Sequence, residues 1–334
     1  MRRRTFLKLS GAAALAAGGR APGVAASSAV TLGYVHALAV DAHMWLADAL
    51  GFWKEQDLDL RFVAFQNGIE AFRAMSAGSL DMLVTGATIS HYPATGQGKV
   101  FLINGIEYAT AQLWCHPEMG IEKIADLKGK KVTTAAGTTA HIFLDTALRQ
   151  NGIDPADVLI INQRIQDAVA AFISRTVPAI ALWIPHQGPI RKQAPSARML
   201  LDASAYFPDA AVVDGWVART GFYEKNKGVL ARIVKAWARA NDVMVDDADK
   251  AIGIIHDKHY RAMSLAELRD ELGAEKKFSS QAWRTMYLDG AVTRWLQRVT
   301  NFYVSFARID RPVPAAQYFD PSIYLDAVPA DGGG

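Results

Sequence analysis

Apolar and polar positions along this chain alternate between two rhythms. Ala29–Tyr34 reads as a strand, and Leu58-Asp59-Leu60-Arg61-Phe62-Val63 alternates as a half-buried one. Between them Met44, Trp45, Ala47, Ala49 and Leu50 fall at helical spacing over 42–52, and Gly51 stands where a helix stops. Asn67-Gly68 turns the chain. Glu70 to Ala77 predicts a helix, Leu80 to Thr85 a buried strand, Gly86 to Ser90 a turn into a helix, and Val100 to Gly105 a fourth strand. The middle third repeats the pattern, with strands at Lys130–Thr134, Val158–Asn162 and Ala179–Trp183 and helices over 139–150 and 167–173. This alternation predicts an α/β fold of two lobes, each a mostly parallel sheet with helices on both faces. The last third predicts helices at Lys227–Val245, Ala248–His256 and Leu265–Leu272, and one long helix at Gln281–Ser305.

Ligands of open parallel sheets sit at the carboxyl ends of the strands. Those ends carry Tyr34 and His36, Thr88, Gly137-Thr138-Thr139 and Trp183. At Gly137-Thr138-Thr139 a strand turns into a helix. Thr138 or Thr139 can cap the free N–H groups of that helix, or the groups can hold an oxyanion. Thr88 repeats this arrangement in the first third. Trp183 is either a ligand wall or core, and so is Trp216 in Asp214-Gly215-Trp216-Val217. His141 reads as a packed or exposed histidine. His256 and His259 lack a third ligand for a metal.

Residues 1–26 read as an export signal. Arg3-Arg4-Thr5-Phe6-Leu7-Lys8 is a twin-arginine pattern, and a short apolar run and Val24-Ala25-Ala26 follow. Removing Arg2, Arg3, Arg4, Lys8 and Arg20 with it turns the formal charge of +3 into −2, so the basicity implies no nucleic acid. The single cysteine, Cys115, sits beside Leu113 and Trp114 and reads as a small buried hydrophobe. Gly-x-Ser-x-Gly, a phosphate loop and His-Glu-x-x-His are all missing from the chain.

Four stretches occur in a telling order: Leu50-Gly51-Phe52-Trp53-Lys54-Glu55-Gln56-Asp57-Leu58, Ala77-Gly78-Ser79-Leu80-Asp81, Ala125-Asp126-Leu127-Lys128-Gly129-Lys130-Lys131-Val132, and Gly137-Thr138-Thr139-Ala140-His141. With them the chain resembles the periplasmic substrate-binding proteins of ABC importers for sulfonates, taurine, nitrate and thiamine precursors. The resemblance implies a two-lobed periplasmic binding protein fold (type II), crossed near Glu107–Leu113 and Tyr206–Val217. Lobe one would be 27–110 with 213–334, and lobe two 111–212. It further implies a periplasmic monomer, not an enzyme, without cofactor or metal, that hands a small anionic ligand to an inner-membrane ABC permease. The anionic head would sit on Gly137, Thr138 and Thr139 with Thr88 opposite. Tyr34, His36, Trp183 and Trp216 would surround the ligand body. One departure is Trp183-Ile184-Pro185-His186, where relatives often have an acid after the tryptophan. An amino-bearing ligand such as taurine loses its partner at that corner. An aromatic carboxylate or a pyrimidine is an alternative ligand, and an enzyme of the same fold with His36 or His186 as base is an alternative function.

Overall fold

The computed structural model describes residues 29–330, so the export-signal reading lies outside the described residues. The first part of the chain runs β1 (Val30–Val35), α1 (Leu38–Ala49), α2 (Phe52–Glu55), β2 (Leu60–Phe65), α3 (Gly68–Ser76), β3 (Met82–Thr85), α4 (His91–Ala94) and β4 (Lys99–Ile106). The chain then passes to a second sheet with β5 (Ala111–Cys115), β6 (Lys131–Thr134), α5 (Thr139–Gln150), β7 (Leu159–Asn162), α6 (Ile165–Ile173), β8 (Ala179–Trp183), α7 (Gln187–Gln193) and β9 (Arg198–Asp202). It returns through β10 (Val213–Ala218) to the first sheet. The rest is helical: α8 (Thr220–Lys225), α9 (Lys227–Asp246), α10 (Ala248–His259), α11 (Leu265–Gly273), α12 (Ser280–Leu288), α13 (Ala291–Ala307), α14 (Ala315–Tyr318) and α15 (Ser322–Ala327).

The two sheets have matching plans, β2-β1-β3-β10-β4 and β7-β6-β8-β5-β9. In each, the fourth position holds one strand antiparallel to both its neighbours: β10 in the first sheet, β5 in the second. These are the strands the chain enters directly on changing sheets. A strand arriving from the other sheet needs no crossover helix and can therefore run against its neighbours. β5 and β10 are buried along their whole length and show no alternation, so period-2 patterning does not reveal them.

The single long helix expected at Gln281–Ser305 is two helices. Gly290 takes a left-handed conformation (φ +76°), and Asp289 accepts from the N–H of Ala291 to start α13. Cys115 is fully buried, and its thiol donates to the Ile121 carbonyl. His259 stacks on Trp45 at 4.1 Å and His256 bonds Asp257. No group of three metal-ligating side chains occurs among the described residues, and no described helix is long and apolar enough to cross a membrane.

Candidate functional site

A cavity of about 40 Å³ lies between the two sheets at the carboxyl ends of their strands. Its wall includes Ala37, Gly68, Thr88, Glu107, Thr139 and Trp183. At 10–15 Å³ per water centre it admits about three water-sized groups, the size of an oxyanion head. An outer cleft of about 380 Å³ shares Asn67, Thr138 and Trp183 with it, so Trp183 stands between a small inner cavity and a larger mouth.

The start of α5 faces this cavity uncapped. Thr138 occupies the cap position in extended conformation, but its hydroxyl donates back to the Ala135 carbonyl at 2.7 Å. Neither Thr138 nor Thr139 caps the helix, contrary to one of the two readings of this turn. The N–H groups of Thr139 and Ala140 therefore have no hydrogen-bond partner among the described residues. The Thr88 N–H, in the short 3-10 turn Ala87–Ser90, is equally free. Unspent N–H groups at a helix start attract negative charge.

Gly137 is positioned differently from the sequence expectation. Its N–H donates to His141 Nδ1 at 3.1 Å and its carbonyl accepts from the Tyr303 hydroxyl at 2.9 Å. The Gly137 amide is thus occupied, and the residue supplies the left-handed turn (φ +75°) that aims α5 at the cavity. His141 is buried, which lowers its pKa and keeps it the neutral acceptor this contact needs.

Sequence reasoning missed the role of Glu107. Its carboxylate lines the cavity with only 5% of the residue exposed. Thr139 Oγ1 donates to its Oε1 at 3.0 Å and Thr110 Oγ1 to its Oε2 at 3.1 Å. The Ala87 N–H donates in turn to Thr139 Oγ1 at 3.3 Å, so the Thr139 hydroxyl proton is directed at Glu107. Burial pushes the Glu107 carboxyl up to about 7. The available signal was an acid directly after an eight-residue strand buried at all but its first position.

Three expected contacts are not made. At the end of β1 it is Val35 that faces the cavity, and strand alternation turns its neighbours Tyr34 and His36 away. Tyr34 packs edge-on against Trp45 at 5.3 Å. His36 bonds Asp41 at 2.9 Å, stacks on Tyr260, and leaves 48% of its side chain exposed. Trp216 is fully buried core, its Nε1 bonded to Asn104. Thr88, Thr138, Thr139 and Trp183 do line the cavity. His186 packs edge-on to Trp183 at 5.0 Å and is pushed down to about 4 by burial. Neither His36 nor His186 is a lining residue, so neither is placed as a base toward the cavity.

Contacts between the two halves hold the cavity closed. Gln166 bonds Gln66 at 2.7 Å across one side of the cleft, and Arg191 and Lys192 of α7 face Asp270 and Glu267 of α11 at 3.8 and 3.7 Å on the other. These are exposed pairs, worth about 0–1 kcal/mol each.

Comparison with known proteins identifies relatives of this chain. A binding protein of Brucella abortus is 27% identical over 321 residues, 96% of this chain and 98% of that one. The taurine-binding periplasmic protein of Escherichia coli is 27% identical over 192 residues, 57% of each chain. Among solved structures, the periplasmic aliphatic sulphonate binding protein SsuA of Escherichia coli superposes with a TM-score of 0.70 at 20% identity, covering 88% of this chain and 92% of that one. The fold also carries a desulfurization enzyme, DszB, at a TM-score of 0.62 and 15% identity, covering 89% and 98%. The family model described as NMT1/THI5 like matches residues 40–251, and the chain belongs to that family.

Proposed function

We propose that the chain is the extracytoplasmic substrate-binding component of an ABC importer, capturing a small organic oxyanion of the sulfonate, taurine or nitrate kind between two lobes. The observation that carries this reading is the uncapped start of α5 facing a cavity of head-group size. The sulfonate- and taurine-binding relatives support the class. We assign the lobes as 27–110 with 213–334, and 111–212. The chain changes sheets between Ile106 and Ala111 and between Asp202 and Val213, and closure is a rotation about those two connections. The working form is a periplasmic monomer, exported by the twin-arginine route, that delivers ligand to an inner-membrane permease. Binding without turnover fits a cavity whose only titratable lining side chain among the described residues is Glu107. An aromatic carboxylate or pyrimidine fits less well, because its ring must stand in the outer cleft against Trp183.

Ligand-induced stabilisation tests this reading. A bound oxyanion at about a hundred times its dissociation constant raises stability by roughly 2.7 kcal/mol. Thr138→Asp is expected to keep or slightly raise the stability of the free protein, since aspartate is a preferred helix cap. It is expected to abolish the oxyanion-induced shift, because its carboxylate takes the N–H groups and repels the ligand. An unchanged shift in Thr138→Asp refutes α5 as the anion site. Trp183→Ala is expected to weaken binding about tenfold with little loss of stability, as measured by titration calorimetry and urea unfolding, because the residue is only partly buried at the cavity mouth.

A further inference from the structure

We propose that Tyr303 of α13 is a positioning residue for the oxyanion-holding turn: from the first lobe it pins the Gly137–Thr138 peptide of the second, so that the Thr138 N–H joins those of Thr139 and Ala140 on the ligand. The inference rests on the oxyanion reading above and adds the group that sets the turn.

Gly137 is the soft joint of that turn. With no Cβ and a φ of +75°, it lets the peptide that follows rotate at little cost. On its amino side the joint is held within the turn, where the Gly137 N–H donates to His141 Nδ1 at 3.1 Å. On its carbonyl side it has one hydrogen-bond partner among the described residues, the Tyr303 hydroxyl at 2.9 Å. A trans peptide is planar, and its C=O and N–H point in opposite directions. Holding the Gly137 carbonyl therefore fixes the direction of the Thr138 N–H. That N–H has no partner among the described residues, and Thr138 lines the cavity. Without the tyrosine hydroxyl the plane is free to swing, and a swing that turns the carbonyl toward a bound anion costs affinity.

The pin comes from the other lobe. α13 packs on α4, α12 and β10. The Tyr303 ring is fully buried, stacks on His91 at 4.4 Å, and shares an apolar cluster with Ala87, Val212, Val299 and Ile142 of α5. Phe302 and Phe306 of the same helix pack edge-on against His141 at 5.4 and 4.7 Å. Phe306 and Ile69 also close on Gly137, where a Cβ would meet each of them at 3.4 Å. Both groups that fix the joint, the tyrosine and the histidine, are thus set by α13. They engage only while the lobes stand together, so the turn presents its full set of N–H groups in the closed form.

The test is Tyr303→Phe, which keeps the ring and its stack on His91 and removes only the hydroxyl. Tyr324→Phe is the matched control. Tyr324 is also fully buried and donates to a backbone carbonyl, that of Ser280, at the same 2.9 Å, and neither of those residues lines the cavity. The mature chain and both variants are titrated calorimetrically with ethanesulfonate, 2-aminoethanesulfonate and nitrate, and are unfolded in urea. Both variants are expected to lose stability to a similar extent. Only Tyr303→Phe is expected to weaken the anion that wild type binds, by about tenfold or more, because a hydrogen bond to a charged group is lost. In amide NMR spectra the Thr138 resonance is expected to move when wild type is saturated, and to move much less in Tyr303→Phe. A Thr138 amide that stays in place in saturated wild type overturns the inference without any variant. Wild-type affinity in Tyr303→Phe shows that the bond serves stability alone and overturns it too, while the oxyanion reading stands. Equal weakening in the two variants does the same, since the loss then follows stability and not the turn. If none of the three anions binds wild type, the oxyanion reading falls and takes this inference with it.

Discussion

Asn104→Leu is expected to lower the unfolding free energy by about 4 kcal/mol while leaving ligand affinity of the folded protein unchanged. Asn104 is fully buried in β4. Its Oδ1 accepts from two indoles, Trp216 Nε1 at 2.6 Å and Trp237 Nε1 at 2.8 Å, and its Nδ2 donates to the Val40 carbonyl at 2.9 Å. One amide thus ties β4 to β10, α9 and α1. Leucine fills nearly the same space and satisfies none of these groups. Two buried N–H groups and one carbonyl lose their partners, at about 1–3 kcal/mol each, and the gain from an apolar side chain offsets part of that. Urea unfolding followed by tryptophan fluorescence measures the difference. A loss under about 1.5 kcal/mol would mean that the indoles find other acceptors and that packing alone holds α9 to the sheet. Trp216→Phe breaks only one of the three bonds, so it is expected to cost less than Asn104→Leu. Neither Asn104 nor Trp216 is itself a lining residue of the cavity.

That network also explains why Trp216 was hard to place from its neighbours in sequence. An indole close to a lobe crossing suits a ligand wall, and only the position of Asn104, 112 residues away, shows that its N–H is already satisfied in the core. What local pattern decides was readable: the strands and helices of the α/β units in both sheets, and the turn Gly137–Thr139, which opens onto the cavity between them. What depends on parity or on long-range pairing was not. Tyr34 and His36 flank Val35, and a shift of one residue decides which of them faces the cavity. Thr138 has two hydrogen-bonding options close in energy, forward to its helix or back to Ala135, and the turn geometry selects the second. Glu107 was hidden for a different reason. An acid that follows a strand normally reads as surface, and its burial depends on Thr110, Thr139 and Gly86 closing over it from three segments. Gly86 shows how tightly they do so, since a Cβ there would meet Glu107 Oε1 at 2.6 Å.

The same enclosure leads to the second large effect: the Glu107 contribution to the stability of the ligand-free protein is expected to fall as the pH rises from 5 to 8, read as the difference between wild type and Glu107→Gln. The usual carboxylate contribution runs the other way. Glu107 has its carboxyl raised from 4.5 to about 7 by burial, with Glu275 adding to the rise while Thr139, Thr110 and the Ala87 N–H oppose it. Below pH 4.5 both folded and unfolded forms hold the proton. Between 4.5 and 7 only the folded form does, so stability falls as pH rises, and above 7 the full penalty of about 3 kcal/mol is present. Glu271, also raised to about 7 by burial, adds a second contribution of the same sign, and so does Asp214, which burial and Glu275 hold well above the ordinary range. Lys277 opposes the rise at Asp214 but is already bound by Glu275. Glu118, lowered to about 2 by hydrogen bonds and Arg175, acts in the opposite direction only in stronger acid. Glu107→Gln keeps the shape and the contacts to both threonines without the charge. It is therefore expected to be about 3 kcal/mol more stable than wild type at pH 8 and nearly equal to it at pH 4.5, in urea unfolding at the two pH values. A variant less stable than wild type at pH 8 would show that Thr139 and Thr110 hold Glu107 ionised at little cost, and the cavity floor would then be a preformed negative site.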